Sequence, residues 1–134
     1  MSEPGTMTTK VLVCEDDDAT RDMLVMFLEA EGFDVTAVPD GPSCLAAVAG
    51  DPPRVLVLDV MMPGMDGYQV MEILRRDFPD ADLKVVMLTA RTTDEDVWQG
   101  WQSGVDYYMA KPFDPGELLR FVGFLTAEPA AQDV

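Results

Sequence analysis

At 134 residues the chain has room for one ordinary domain with a single core, and not for two. With 48% hydrophobic and 25% charged residues its composition is globular, which excludes general disorder. Nine basic against 25 acidic residues leave a net charge of −16, a surface that repels the nucleic-acid backbone and anionic lipid. No direct nucleic acid binding by this segment and no membrane contact are therefore expected. No run approaches the roughly 20 apolar residues that a membrane span needs, and the N-terminus lacks an apolar signal core, so a cytoplasmic location is expected. Cys14 and Cys44 lie in apolar runs without CxxC spacing, and the sequence holds no histidine to complete a zinc site. They read as buried free thiols in a reducing compartment.

Residues 1–9 are rich in Ser, Thr, Pro and Gly and read as a flexible N-terminus. Lys10-Val11-Leu12-Val13-Cys14 is a compact apolar run, the first strand, and four acids follow it: Glu15, Asp16, Asp17 and Asp18. Asp17 or Asp18 can cap a helix in which Met23, Leu24, Phe27 and Leu28 share a face and which Gly32 stops. Phe33 to Val38 alternates with period two, a second strand, and Pro42 to Val48 gives a short helix before Asp51-Pro52-Pro53. Val55-Leu56-Val57-Leu58 runs straight into Asp59, as in a strand covered on both faces, and Pro63-Gly64 then turns the chain away. Asp66 is a good N-cap with Gln69 as its capping-box partner, opening a helix that buries Val70, Ile73 and Leu74 and runs to about Asp77.

Lys84 to Thr89 is a fourth apolar run. Thr92 or Thr93 then opens a fourth helix carrying Val97, Trp98 and Trp101 up to Gly104, and Val105 to Ala110 reads as a short fifth strand. After Lys111-Pro112-Phe113, Asp114, Pro115 and Glu117 occupy the N-cap, N1 and N3 positions of a fifth helix through about Thr126. Residues 127–134 are a linker-like C-terminal tail. Five strands alternating with five helices call for an α/β fold, a doubly wound five-stranded parallel sheet with helices on both faces.

Ligands in such sheets bind at the carboxyl ends of the strands, by a topological switch point. If the first and third strands are neighbours, Glu15, Asp16 and Asp59 gather at that edge. Two unit charges about 4 Å apart at an effective dielectric of about 20 interact by roughly 4 kcal/mol, so three clustered carboxylates call for a cation. Mg²⁺ suits the need: it takes a few oxygen ligands, keeps several waters and bridges to phosphoryl oxygens. With Lys111 added, the charges of the site balance. Each residue also has a plainer explanation. An acid run before a helix is commonly a solvated N-terminus favoured by the dipole, the stronger explanation for Asp17 and Asp18, whereas position alone leaves Glu15 and Asp16 open. Thr89 after a strand can be a turn residue and Lys111 a surface charge.

The set Glu15-Asp16, Leu58-Asp59, Met62-Pro63-Gly64-Met65-Asp66-Gly67, Leu88-Thr89-Ala90 and Lys111-Pro112-Phe113, in this order and spacing, resembles the receiver domain of two-component response regulators over about residues 10–126. The resemblance implies a flavodoxin-like fold of strand order 2-1-3-4-5. It implies that Asp59 is the phospho-acceptor and that Glu15, Asp16, Asp59 and the Met61 backbone carbonyl hold Mg²⁺. Thr89 and Lys111 would bind the phosphoryl oxygens, and Thr89 and Tyr108 would form the switch. The implied function is a regulator rather than an enzyme, with only weak self-catalysed phosphorylation and dephosphorylation.

A histidine kinase or phosphotransfer protein is the implied donor, since the sequence has no histidine of its own. An output domain, a partner protein or a phosphorylation-dependent homodimer would use the face of the fourth helix, fifth strand and fifth helix. There Val97 and Trp101 read as core, Trp98 as rim, and Tyr107 points opposite Tyr108. Two departures stand out: Glu15-Asp16 replaces the two aspartates of many receivers, and Asp106-Tyr107 replaces the paired acids that many DNA-binding members carry before the switch aromatic. Whether the receiver stands alone or belongs to a longer chain is open. The rivals are a receiver-like interaction module that acts without phosphorylation and an aspartate-nucleophile phosphatase, which would need an acid where Met61 stands. A flavodoxin-like FMN carrier fails at Glu15 to Asp18, where a phosphate would be repelled.

Overall fold

The computed structural model describes residues 9–90 and 104–126. Its elements in chain order are β1 (Lys10–Cys14), α1 (Asp18–Ala30), β2 (Asp34–Val38), α2 (Gly41–Gly50), β3 (Val55–Asp59), α3 (Gly67–Asp77), β4 (Lys84–Thr89), β5 (Tyr107–Ala110) and α4 (Pro115–Leu125). All neighbouring strands are parallel, in the order β2-β1-β3-β4-β5. The doubly wound, flavodoxin-like sheet is therefore the fold that the apolar runs and the resemblance led one to expect. Four helices lie among the described residues. The helix expected from Thr92 or Thr93 falls outside them apart from its end at Gly104, and with it Val97, Trp98 and Trp101.

Period-two alternation of the strands builds two cores. Leu12, Cys14, Leu56, Leu58, Val85 and Met87 face one side, where α2 and α3 bury Cys44, Val48, Val70, Met71 and Leu74 on them. Val11, Val13, Val57, Val86 and Leu88 face the other, under Leu24 and Leu28 of α1 and Leu118 and Val122 of α4. The three central strands are apolar on both faces because both faces are covered. Cys14 and Cys44 are free and buried, and Cys14 Sγ donates to the Asp40 carbonyl at 3.3 Å. A side-chain hydrogen bond with Cys44, and then burial, push the Cys14 thiol up, which keeps it protonated.

Helix ends follow local chemistry. Asp17 caps α1, its carboxylate accepting from Thr20 N–H at 2.8 Å, and Gly32 takes φ +93° to leave the helix. Asp40 caps α2, which therefore starts at Gly41 rather than Pro42. Asp66 and Gln69 form a reciprocal capping box on α3, each accepting from the other's backbone N–H at 2.9 Å. The buried face of α3 differs from expectation: Met71 is buried with Val70 and Leu74, Ile73 is half-buried, and Tyr68 is buried one turn earlier. The fifth strand starts at Tyr107 rather than Val105, because the Asp106 carboxylate takes the Val85 N–H at 2.7 Å, the bond that a strand carbonyl would otherwise accept. Asp114 accepts from Gly116 N–H at 3.1 Å and opens α4 with Pro115 at its start.

Because the capping box is local and exposed, Asp66→Ala should lower the free energy of unfolding in urea by about 1 kcal/mol without altering the fold. An effect below the error of the measurement would show that neither bond of the box persists in solution.

Candidate functional site

The carboxyl end of β3 is fixed by main-chain bonds on both sides. Val60 N–H donates to the Leu88 carbonyl of β4 at 2.9 Å, and Gly67 N–H donates to the Val60 carbonyl at 2.9 Å. A Cβ on Gly67 would stand 2.7 Å from the Asp59 carbonyl oxygen and 2.9 Å from Val60 Cα. Only glycine lets the start of α3 come this close to the strand. The intervening loop turns at Gly64, φ +82°, and presents Met61 N–H to Asp59 Oδ1 at 3.2 Å.

β1 and β3 are neighbours, and on either side of them the chain leaves for opposite edges of the sheet, which makes this the switch point. Glu15, Asp16 and Asp59 meet there, each offering an oxygen within 4.8 Å of the others. The run of acids divides by burial. Glu15 is 1% exposed and Asp59 2%, while Asp16 is open to solvent. Glu15 is held by its own N–H on the Val38 carbonyl at 3.1 Å, and its carbonyl accepts from Arg21 Nη1 at 2.9 Å. Asp17 N–H donates to Glu15 Oε2 at 3.2 Å, while Asp18 pairs with Arg21.

Lys111 reaches this cluster from the end of β5, across β4, where its N–H donates to the Thr89 carbonyl at 2.7 Å. Its ammonium donates to Glu15 Oε1 at 2.8 Å and to Asp59 Oδ1 at 3.3 Å. Burial opposes the charge on Lys111, but the bond to Glu15 and the charges of Asp59 and Glu15 outweigh it and hold its pKa above the ordinary value. Burial first, then the hydrogen bond and charge of Glu15, push Asp59 up to about 7, against the pull of Lys111 and the Met61 amide. Such a carboxyl is short of positive charge. The donor set of two buried carboxylates and one exposed carboxylate beside a lysine fits a hard divalent cation such as Mg²⁺. Thr89 is buried at the end of β4, one residue beyond the partner of Asp59. Tyr108 lies on the α3 side of the sheet, where its hydroxyl stands 3.1 Å from that of Tyr68.

The structure thus brings Glu15, Asp16, Asp59 and Lys111 into one cluster, with the Met61 amide on Asp59 and Thr89 on the adjoining strand end. Arg21 and Tyr68 were not anticipated. Arg21 follows the acid run at no diagnostic spacing, and Tyr68 gave only the signal of a large aromatic in the first turn of α3.

A flavodoxin-like sheet with an acid cluster and a lysine at its switch point defines the class. Residues 11–122 match the family model of the response regulator receiver domain, and the chain belongs to that family, the receivers of two-component systems. It is 43% identical over 117 residues to the DNA-binding response regulator MtrA of Mycolicibacterium smegmatis, covering 87% of this chain and 50% of MtrA. The chain spans about half the length of the curated relatives it matches. Among solved structures, the Francisella response regulator 1452 receiver domain is similar with a TM-score of 0.82 at 34% identity, covering 88% of this chain and 96% of that one. The BeF3-activated DrrB receiver domain has a TM-score of 0.79 at 31% identity, covering 89% of this chain and 97% of that one. No helix among the described residues is long and apolar enough to cross a membrane.

Two outcomes follow from this geometry. Asp59 keeps its proton to higher pH folded than unfolded, where its pKa is 3.8. Without divalent cations, the stability of the wild type relative to Asp59→Asn should therefore fall as pH rises from about 4 to about 7 and level off above, by at most about 1.4 kcal/mol per pH unit. Urea titrations across that range measure it, and Mg²⁺ should restore the lost stability. Separately, Gly67→Ala should shift the end of β3 and weaken Mg²⁺ binding, read by calorimetry. Unchanged affinity would mean that the Asp59 backbone is not set by α3.

Proposed function

We propose that this chain is a phospho-accepting signalling switch whose acceptor is Asp59. The observation that carries the proposal is the convergence of Glu15, Asp16 and Asp59 within 4.8 Å, with Lys111 touching both buried members. Asp59 Oδ1 takes the contacts from Met61 and Lys111, so Oδ2 is the oxygen presented to a donor. In the transfer the Oδ2–P bond forms and the P–N bond of a phosphohistidine breaks, with the leaving imidazole taking a proton from solvent. Lys111 and the Thr89 hydroxyl bind the equatorial phosphoryl oxygens and so hold the phosphorus in line between Oδ2 and the leaving nitrogen. Glu15, Asp16, Asp59 and the Met61 carbonyl would hold Mg²⁺, which when bound would neutralise charge on those oxygens. The chain's own residues otherwise supply position, so transfer and hydrolysis are self-catalysed and weak.

The donor is a histidine kinase or phosphotransfer protein, and an open depression of about 500 Å³ lined by Thr20, Met23, Ala90, Lys111, Pro112 and Phe113 gives access beside the lysine. Phosphorylation biases Thr89 and Tyr108 between two arrangements. The change is read on the face that includes β5 and α4. Tyr107 stacks there on Phe121 at 3.7 Å, and Phe124 is 74% exposed, an apolar surface for an output domain, a partner or a second copy. The naming of one similar structure as BeF3-activated supports a phosphoryl-sensing role. The net charge of −16 argues that DNA binding, named for MtrA, is not performed by this segment.

Incubation with a small acyl phosphate and Mg²⁺, followed by intact mass measurement, tests the proposal. The wild type should gain one phosphoryl group and Asp59→Asn none, while Lys111→Ala should slow the gain roughly 10²-fold. Equal labelling of the Asn variant would exclude Asp59 as acceptor. No labelling of the wild type would favour an interaction module that acts without phosphorylation, and steady phosphate release from many substrates would favour a phosphatase.

A further inference from the structure

We infer that Tyr68 is a positioning residue for Tyr108, its hydroxyl holding the Tyr108 ring turned inward over β4. The inference rests on Tyr108 being the aromatic that answers phosphorylation. The two hydroxyls stand 3.1 Å apart, in reach of one hydrogen bond, and come from α3 and β5. Tyr108 packs there against the core that contains Met87 and Met71. Its neighbour Tyr107 is engaged on the opposite face by Phe121, so the pair of adjacent tyrosines is divided between the two layers.

What makes Tyr68 more than a packing residue is where its backbone is fixed. It follows Gly67, whose N–H is bonded to the Val60 carbonyl and which has no room for a Cβ against the Asp59 carbonyl. Tyr68 is thus attached to the acceptor end of β3, while Tyr108 lies three residues before Lys111 on β5. The hydroxyl pair ties the nucleophile side of the pocket to the lysine side. Outward rotation of Tyr108 breaks this partly buried bond between the two hydroxyls, which disfavours that rotation. The bond therefore adds to the inward population before any phosphoryl group arrives, and lowers the work that phosphorylation must do.

The test is the Tyr108 ring resonances by NMR in wild type and Tyr68→Phe, with and without Mg²⁺ and beryllofluoride as phosphoryl mimic. Phe retains the ring and its packing. The ratio of inward to outward Tyr108 without the mimic should fall roughly two- to tenfold in Tyr68→Phe. The mimic should still bind to an intact Asp59, with affinity weakened by up to the same factor. A role in packing alone would lower the unfolding temperature and leave the Tyr108 ratio unmoved. A Tyr108 ratio equal to or above wild type, with Tyr108 still responding to the mimic, overturns the inference and leaves the switch standing. Indifference of wild-type Tyr108 to bound mimic overturns the switch and this inference with it.

Discussion

Two carboxylates, Glu15 and Asp59, are withdrawn from water side by side at the ends of the central strands, and one ammonium serves both. That concentration of charge organises everything around it. Ion pairs taken out of water seldom repay their desolvation, so a cluster with more negative than positive members is costly to keep for stability alone. Its presence in a family of regulatory receivers is better explained by use. The sheet order serves the same end: β1 beside β3 places the two acids together, and β4 between β3 and β5 makes Lys111 cross over the end of β4 to meet them.

The pocket is rigid where Asp59 stands and looser where Lys111 arrives. β3 is central, paired on both sides, and its end is clamped by α3 through Gly67 and by β4 through Val60. β5 is short, lies at the edge of the sheet and pairs with β4 alone among the described residues. Elements with one neighbour open more easily than doubly paired ones. At its entry Asp106 ties β5 to Val85 of β4, its N–H donating to the Val85 carbonyl at 2.9 Å and its carboxylate accepting from the Val85 N–H at 2.7 Å.

What could be read from the sequence was whatever is encoded locally. The strands showed as apolar runs and the caps as Asp17 or Asp18, Asp66 and Asp114; Asp17, Asp66 and Asp114 each bond to an N–H two or three residues ahead, as does Asp40, which the sequence did not single out. The gathering of Glu15, Asp16, Asp59 and Lys111 was legible because each falls at a strand end in a fold with one edge for ligands. Their separate burial was not: adjacent acids look equivalent in a sequence, and it is the inward turn of Glu15 onto Lys111, with Asp16 facing water, that distinguishes them. Nor could pattern show the Tyr68 and Tyr108 hydroxyls meeting, since 40 residues separate them and each is accounted for locally as an aromatic on a covered face. The start of β5 was misplaced for a similar reason. Strand propensity counts Val105 and Asp106 as part of the run, but the side chain of Asp106 competes with the backbone for the same donor.

A phosphoryl group on Asp59 would act on two attachments of unequal strength. Toward α3 the backbone is held by a contact too close for any side chain, and little can give. Toward β5 the links are the Lys111 ammonium, the Lys111 to Thr89 main-chain bond and the tyrosine hydroxyls, all of which can lengthen or exchange partners. The new charge competes directly for Lys111, which in its absence is shared between Glu15 and Asp59. Any movement therefore goes to the edge strand and to the α4 surface packed on it through Tyr107 and Phe121. Under the proposed function, an Asp59 fixed on one side and an edge strand paired on one side only would give the direction in which a signal leaves.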